Sequence, residues 1–368
     1  MPTEKKKSKS KLLELDIVRA IAIVAVVTIH ATADATVDPL LVSESSKTFY
    51  IAVNKLSNFA VPVFIFISGL VLFYRYLDDW NGRQTVQFYV KRVRQALVPY
   101  LIWSLFYYLY NQWIYEHDTL HMDWREFAEK LPWADTSYHL YFMVIIVQFY
   151  LVFPLLMSLC QALPWFRKAL FPLGILIQAA FYAYNHWAQP VQQSASICFN
   201  YFSIFAFGGA LGLHYDAFFR WLRKNIPWVL PVTAVLGFTF MALFAFEDRL
   251  HIVLDNTWFE LLFFGYAMFA GMSFIWLGRL LLDKLPSAAK ALNALGAASF
   301  GIYFVHPAVL SYFKTHVTND TGSTLHYFGY VAAGFLITLF VSWALAYAYG
   351  RFMRLFVKRR PKPATRTA

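Results

Sequence analysis

Arg19 and His30 stand eleven positions apart inside the first strongly apolar stretch of the chain, LDIVRAIAIVAVVTIHA. At about 100° per residue, eleven steps return to within roughly 20° of the starting direction, so in a helix both side chains project from one face. Along the axis they lie about 16 Å apart, at roughly 1.5 Å per residue. A guanidinium and an imidazole are costly on an apolar helix, and side chains of this kind mark a path for a ligand or a proton. The guanidinium can hold an anion. The imidazole titrates near neutrality, so it can take a proton from a hydroxyl or act as a nucleophile. Asp16, three residues before Arg19, is close enough to pair with it, so an ion pair reaching to the membrane surface competes with a functional reading of those two. For His30 the competing reading is a hydrogen-bonded histidine at a helix end.

A second basic constellation, Lys91-Arg92-Val93-Arg94, leads into the apolar run QALVPYLIW. Lys91 and Arg94 are three apart and share a helix face, so they could clamp an anionic group, the arginine through its planar fork and the lysine as a point charge. Anchoring at a cytoplasmic membrane surface explains the same cluster by position alone. Further polar side chains fall at membrane depth or at its edge: Ser68, His139, Gln148, Asn200, Glu260 and His306. Glu260 is the most expensive of these, and a histidine or arginine partner is expected for it. Each of the others is also explained by a hydrogen bond between packed helices. Cys160 and Cys198 carry no CxxC or metal-ligand spacing, so neither a disulfide framework nor a zinc or other metal site is expected.

The elements that must position these residues are membrane helices. Of 368 residues, 59% are hydrophobic, 20% aromatic and only 14% charged, and the mean hydropathy is +0.47; soluble domains carry about a quarter charged residues. The apolar residues gather into about ten stretches long enough to cross roughly 30 Å of hydrocarbon as helices. They are residues 13–33, 51–74, 93–115, 138–161, 168–186, 197–214, 227–246, 258–282, 294–316 and 326–352, the fifth and sixth being the most interrupted by polar residues. The expected fold is therefore all-α and polytopic.

A net charge of +11 could suggest nucleic acid, but its distribution points to a bilayer. With the N-terminus inside, the cytoplasmic segments hold 25 of the 32 lysines and arginines. This is the positive-inside pattern, with both termini cytoplasmic. One helical domain is expected over 13–352, between a basic N-terminal segment (1–12) and a basic tail (353–368) suited to anionic headgroups. The acid-rich connection 116–137 could hold a short amphipathic helix, with Trp124, Phe127, Leu131 and Trp133 turned to lipid or protein. The opening KKKSKSK, its apolar run and Ala31-Thr32-Ala33 imitate a cleavable signal peptide. Asp16 and Arg19 interrupt what would be its uncharged core, and an uncleaved first span is expected.

The motif LDxxRAxAI followed by a histidine eleven residues after the arginine resembles the first helix of the acyltransferase 3 family of integral-membrane acyltransferases. The similarity continues in order through VPVFIFISGLVL, KRVRQALVPYLIWS, HLYFMVIIVQFYLVFPLL and GIYFVHPAVL, from about residue 12 to 350. It implies about ten helices in a cell membrane, with the bacterial plasma membrane expected. It also implies transfer of an acyl group, commonly acetyl, to a hydroxyl of a surface carbohydrate. The family often shows Arg-x-x-Arg at the third helix, where this chain has Lys91-x-x-Arg94 with Arg92 between.

Residues and resemblance meet in one expectation. A polyanionic acyl-coenzyme A would place its phosphates at Lys91, Arg92, Arg94 and Arg19. Its pantetheine arm would follow the first helix to His30, acting as general base or as transient acyl carrier. His139, Glu260 and the acidic outer loop would hold the acceptor sugar. No permanently bound cofactor is expected. The alternative from another class is an exporter of a polysaccharide or lipid-linked intermediate, since buried polar residues and prolines in several spans suit transport too.

Overall fold

The computed structural model describes residues 9–37, 43–116, 120–318 and 323–356. The described chain is helical and has no strand. Helix α1 spans Glu14–Val37, with Glu14 and Asp16 in its first turn, where carboxylates favour the positive end of the helix dipole. It is followed by α2 (Glu44–Ser57, capped by Ser43), α3 (Ala60–Tyr76), α4 (Gly82–Arg92, capped by Asn81) and α5 (Val98–Asn111). Then come α6 (Trp124–Lys130), α7 (Tyr141–Ala162), α8 (Pro164–Ala183) and α9 (Phe202–Leu213). The long helices α10 (Tyr215–Leu250), α11 (Asn256–Lys284), α12 (Pro286–His316) and α13 (Thr324–Phe356) complete the bundle.

Each of the ten apolar stretches falls largely in helix. Among the described residues, seven helices are long and apolar enough to cross a membrane by themselves: α1, a continuous α2–α3 segment, α7 and α10 to α13. The other three stretches contain α5, α8 and α9. α5 is cut short by a π-helical turn on each side, Val93–Leu97 and Gln112–Glu116, and α9 is only 12 residues long. The outer connection does hold the short helix α6, with Phe127 buried against Tyr108 (ring centroids 5.5 Å) and Trp124 exposed. Cys160 and Cys198 are buried and unbridged. Most of the basic tail lies outside the described residues.

α1 is the hub, packing on α2, α3, α11, α12 and α13. Such contact between apolar helices in lipid comes from close fit rather than from water exclusion. Two seams show how it is obtained. On α9, Gly208 lies against the backbone of Phe66 in α3, where an added Cβ would stand 2.1 Å from the Phe66 carbonyl oxygen. On α12, Gly296 meets α1 so closely that a Cβ would stand 1.7 Å from the Asp16 carbonyl oxygen. From that point α1 and α12 run in the same sense, because their next marked meeting, His30 with His306, is C-terminal on both.

Candidate functional site

Two cavities open around the N-terminal end of α1, and Arg19 lines both. The first, about 870 Å³, is a basic cleft with Lys9, Lys11, Arg19, Arg75 and Lys91 in its wall, together with Asp78 and Asp79. The second, about 700 Å³, extends from Lys11, Asp16 and Arg19 between α1, α3, α7 and α12 as far as Tyr303. Its walls are helical stripes. Met143, Ile146 and Tyr150 come from one face of α7, and Gly296, Ser299, Phe300 and Tyr303 from one face of α12.

Asp16 bridges the cations at this end, accepting from Arg19 at 2.6 Å through Oδ1 and pairing with Lys11 at 2.5 Å through Oδ2. The predicted Asp16–Arg19 pair therefore forms, and Arg19 still borders open space on two sides. The basic cluster at the C-terminal end of α4 divides among three surfaces. Lys91 lines the large cleft; burial, and then the neighbouring charges of Arg75 and Arg92, hold its ammonium below the ordinary lysine range. Arg92 turns into the 700 Å³ cavity, its guanidinium over Tyr150 at 4.5 Å and Phe88 at 5.0 Å, with Nε buried and unpartnered among the described residues. Arg94 is exposed on a shallow groove shared with Lys91 and Gln95. The face shared by Lys91 and Arg94 is thus real, yet Arg92 is the member that reaches the interior.

Beyond Tyr303 lies a cluster of imidazoles. The His306 ring stands 5.3 Å from His30 and 5.6 Å from His139, centroid to centroid, and Tyr138 covers His30 at 4.8 Å. Tyr303 joins cavity and cluster: its ring is 5.3 Å from His139 and 6.2 Å from His306, and its hydroxyl donates to the His139 carbonyl. His139 and His306 are buried, and the Nε2 atom of each lacks a hydrogen-bond partner among the described residues. His30 is half-buried beneath the exposed Tyr138. Asn54 of α2 fixes the adjoining turn of α1 by donating to the Ile29 carbonyl (2.9 Å) and Thr32 Oγ1 (3.1 Å). From α12, Lys314 pairs with Asp34 at 2.7 Å and reaches the His30 carbonyl at 3.5 Å.

On the far side of His139, Tyr107 lies 4.8 Å away and lines a third cavity of about 130 Å³ with Tyr108, Asn111, Glu126, Asp135 and Thr136. The Thr136 hydroxyl is buried there and unpartnered among the described residues. Glu260 stands apart from all of this. Among the described residues it interacts with Asn256, one turn earlier on α11, and with no histidine or arginine of the kind expected for it. Among the described residues, no group of three His, Cys, Asp or Glu side chains is arranged to hold a metal ion.

The arrangement thus offers cations at one end, a mostly apolar-walled cavity, and imidazole nitrogens without partners among the described residues beyond its far end. Sequence reasoning noted His306 only as a polar residue at depth, and it did not single out Tyr138 or Tyr303. The chain matches the model of an acyltransferase domain, Acyltransferase 3, over residues 12–347. It is also similar to proteins named probable poly-beta-1,6-N-acetyl-D-glucosamine export protein. The one from Staphylococcus aureus strain MSSA476 is 22% identical over 310 residues, covering 81% of this chain and 82% of the relative. The one from Staphylococcus epidermidis is 23% identical over 313 residues, covering 82% of each. No solved structure matches it significantly. With a matching domain that runs through nearly the whole chain and helices able to cross a bilayer several times, this multi-pass membrane protein belongs to the Acyltransferase 3 family.

Proposed function

We propose that this protein transfers an acyl group, acetyl in the first instance, from cytoplasmic acyl-coenzyme A to a hydroxyl of a cell-envelope carbohydrate. The observation that carries this reading is the succession of a basic cleft, a cavity that shares Arg19 with it and ends at Tyr303, and the histidine cluster packed against Tyr303. The proposed topology has ten spans with both termini in the cytoplasm, which puts Arg19 on the donor side and His30 towards the outside. The donor's phosphates bind at Lys91, Arg75 and Arg19, with Arg92 facing the pantetheine arm; Arg94 contributes only to the surface charge. The thioester then reaches His30 past Tyr303.

At His30 the imidazole nitrogen takes the proton of the acceptor hydroxyl as its oxygen attacks the thioester carbonyl. The carbon–sulfur bond breaks, and the proton passes to the departing sulfur, which leaves as free coenzyme A. The acceptor enters from the outer side beside His139, where the cavity lined by Tyr107, Asn111 and Thr136 supplies hydrogen-bonding groups for a sugar. Glu260 has no part in this scheme.

The names of the relatives favour a second reading, export of an amino-sugar polymer. Purified protein in nanodiscs, given acetyl-coenzyme A and β-1,6-linked N-acetylglucosamine oligomers, separates the two. Release of free thiol with O-acetylated oligomer supports the enzyme, and movement of oligomer across vesicles without thiol release supports the exporter. His30→Ala is expected to abolish transfer while the protein remains inserted; normal acylation by that variant overturns the mechanism.

A further inference from the structure

In a regular helix the carbonyl of residue 303 would accept from the amide of residue 307. Residue 307 is proline, which has no N–H and crowds the preceding turn, so the Tyr303 carbonyl loses its helical donor and the Phe304 carbonyl lies in the crowded turn. Both find side chains. His306 Nδ1 lies 2.8 Å from the Tyr303 carbonyl oxygen and 3.1 Å from that of Ile302. The Tyr107 hydroxyl donates to the Phe304 carbonyl at 2.6 Å and accepts from the Ala308 amide at 3.3 Å, bridging the gap in the helix ladder.

A carbonyl oxygen can only accept, so the proton of neutral His306 must sit on Nδ1. Its Nε2 then carries a lone pair, and this nitrogen is buried without a partner among the described residues. Two imidazoles flank it: His30 at a centroid separation of 5.3 Å with the rings 31° apart, and His139 at 5.6 Å with the rings 75° apart, its Nδ1 already engaged with the Ser137 hydroxyl. Two imidazoles joined by an N–H···N bond of about 2.9 Å have centroids roughly 5.2 Å apart, because each ring nitrogen lies about 1.15 Å from its centroid. The centroid separation of the His30 and His306 rings matches that of such a bond, which reorientation of the half-buried His30 ring would complete.

We propose that His306 is a positioning residue for His30: its Nε2 accepts the His30 ring N–H, so that the second His30 nitrogen presents its lone pair to the acceptor hydroxyl. Pro307 is the origin of the device, since it frees the carbonyl that fixes the His306 proton. The logic is that of a catalytic histidine oriented by a third group, with a helix defect setting the tautomer. This rests on the acyl-transfer reading for its kinetic consequence, but not for the tautomer itself.

Two measurements test it. Nitrogen-15 NMR of histidine-labelled wild-type protein in nanodiscs, with His306 identified by the missing signals of His306→Gln, is expected to show Nδ1 protonated and Nε2 bare. A protonated Nε2 overturns the proposal, whether or not the protein turns over. Pro307→Ala is expected to return the Tyr303 carbonyl to the helix and mix the two tautomers; an unchanged single tautomer removes the proline from the argument. In thiol-release kinetics, His306→Ala is expected to lower kcat about 100-fold with KM for acetyl-coenzyme A unchanged. His306→Gln, whose amide oxygen can accept the same bond, is expected to recover at least a tenth of wild-type kcat. A normal kcat in His306→Ala, or a loss confined to KM, overturns the proposal. Wild-type protein that releases no thiol but shows the expected tautomer counts against the enzymatic reading alone.

Discussion

Replacing Gly296 with alanine tests whether the seam between α1 and α12 sets the geometry of the histidines. The new Cβ would stand 1.7 Å from the Asp16 carbonyl oxygen and 2.6 Å from its carbon, whereas real Cβ atoms essentially never come within 3.0 Å of such atoms. The helices must therefore part by at least the difference, about 1.3 Å, and no rotamer change can relieve a clash with backbone. Overpacking of this kind costs about 1–3 kcal/mol. The displacement also travels: His30 and His306 lie C-terminal to the clash on the same two helices, with rings 5.3 Å apart. A misplacement of about 1 Å at a reacting centre lowers rates roughly 100-fold. Gly296→Ala is accordingly expected to insert and fold with a lowered midpoint in SDS unfolding, and to lose about two orders of magnitude in kcat/KM for acetyl-coenzyme A-dependent thiol release. Gly265→Ala is the control, because its Cβ would meet only Leu236 at 3.8 Å. A wild-type rate in Gly296→Ala would refute the proposed coupling of seam and site, and an equal loss in Gly265→Ala would show that the assay reports any helical glycine change.

Two further outcomes follow from the same geometry. Arg92→Ala is expected to raise KM for acetyl-coenzyme A more than tenfold, because this guanidinium faces the passage, while Arg94→Ala on the exposed groove changes it less than twofold; steady-state kinetics in nanodiscs with the two variants side by side decides, and equal effects would return the donor site to the outer face of the cluster. Tyr215→Phe removes the hydroxyl that donates to buried Glu14 at 2.8 Å, so it is expected to cost about 1–3 kcal/mol of stability in detergent unfolding with little effect on KM.

What could be read from the chain, and what could not, divides by the range of the interaction. The Arg19–His30 stripe and the Asp16–Arg19 pair are local consequences of helix geometry, and α1 is unbroken across them. Lys91 and Arg94 keep the shared face that their spacing implies, and Arg92, about 100° around the helix from Lys91, takes another; that this other face turns inward depends on packing against α7, which the spacing does not carry. A π-helical turn on each side of α5 keeps that stretch from being a long regular helix. The convergence of His30, His139 and His306 joins three distant segments, and one sequence carries no signal of which segments meet. One clue was present in the letters: a histidine immediately before a helical proline sits three residues after the carbonyl that the proline orphans, as His306 does after Tyr303. Its consequence needed Tyr107 from another helix, which no spacing rule supplies.

The two readings of Arg19, structural ion pair and ligand site, are compatible once the charges are followed. Asp16 offers one negative charge and holds two cations, Arg19 and Lys11, so one positive charge remains uncompensated within that triad. Arg19 uses only part of its fork on Asp16, since a guanidinium carries five N–H donors. Arg92 adds a further cation to the same cavity, whose walls include Phe64, Phe142 and Phe300. Among apolar walls an unbalanced charge interacts more strongly than it would in water, and it favours a ligand of opposite sign. An uncharged polymer of N-acetylated sugars gains nothing from that field, and one with free amino groups is repelled by it. A thioester donor with several phosphates gains attraction in the cleft, and its uncharged arm can occupy the apolar passage beyond. The charge balance around Asp16 therefore favours acyl transfer over export as the use of this cavity.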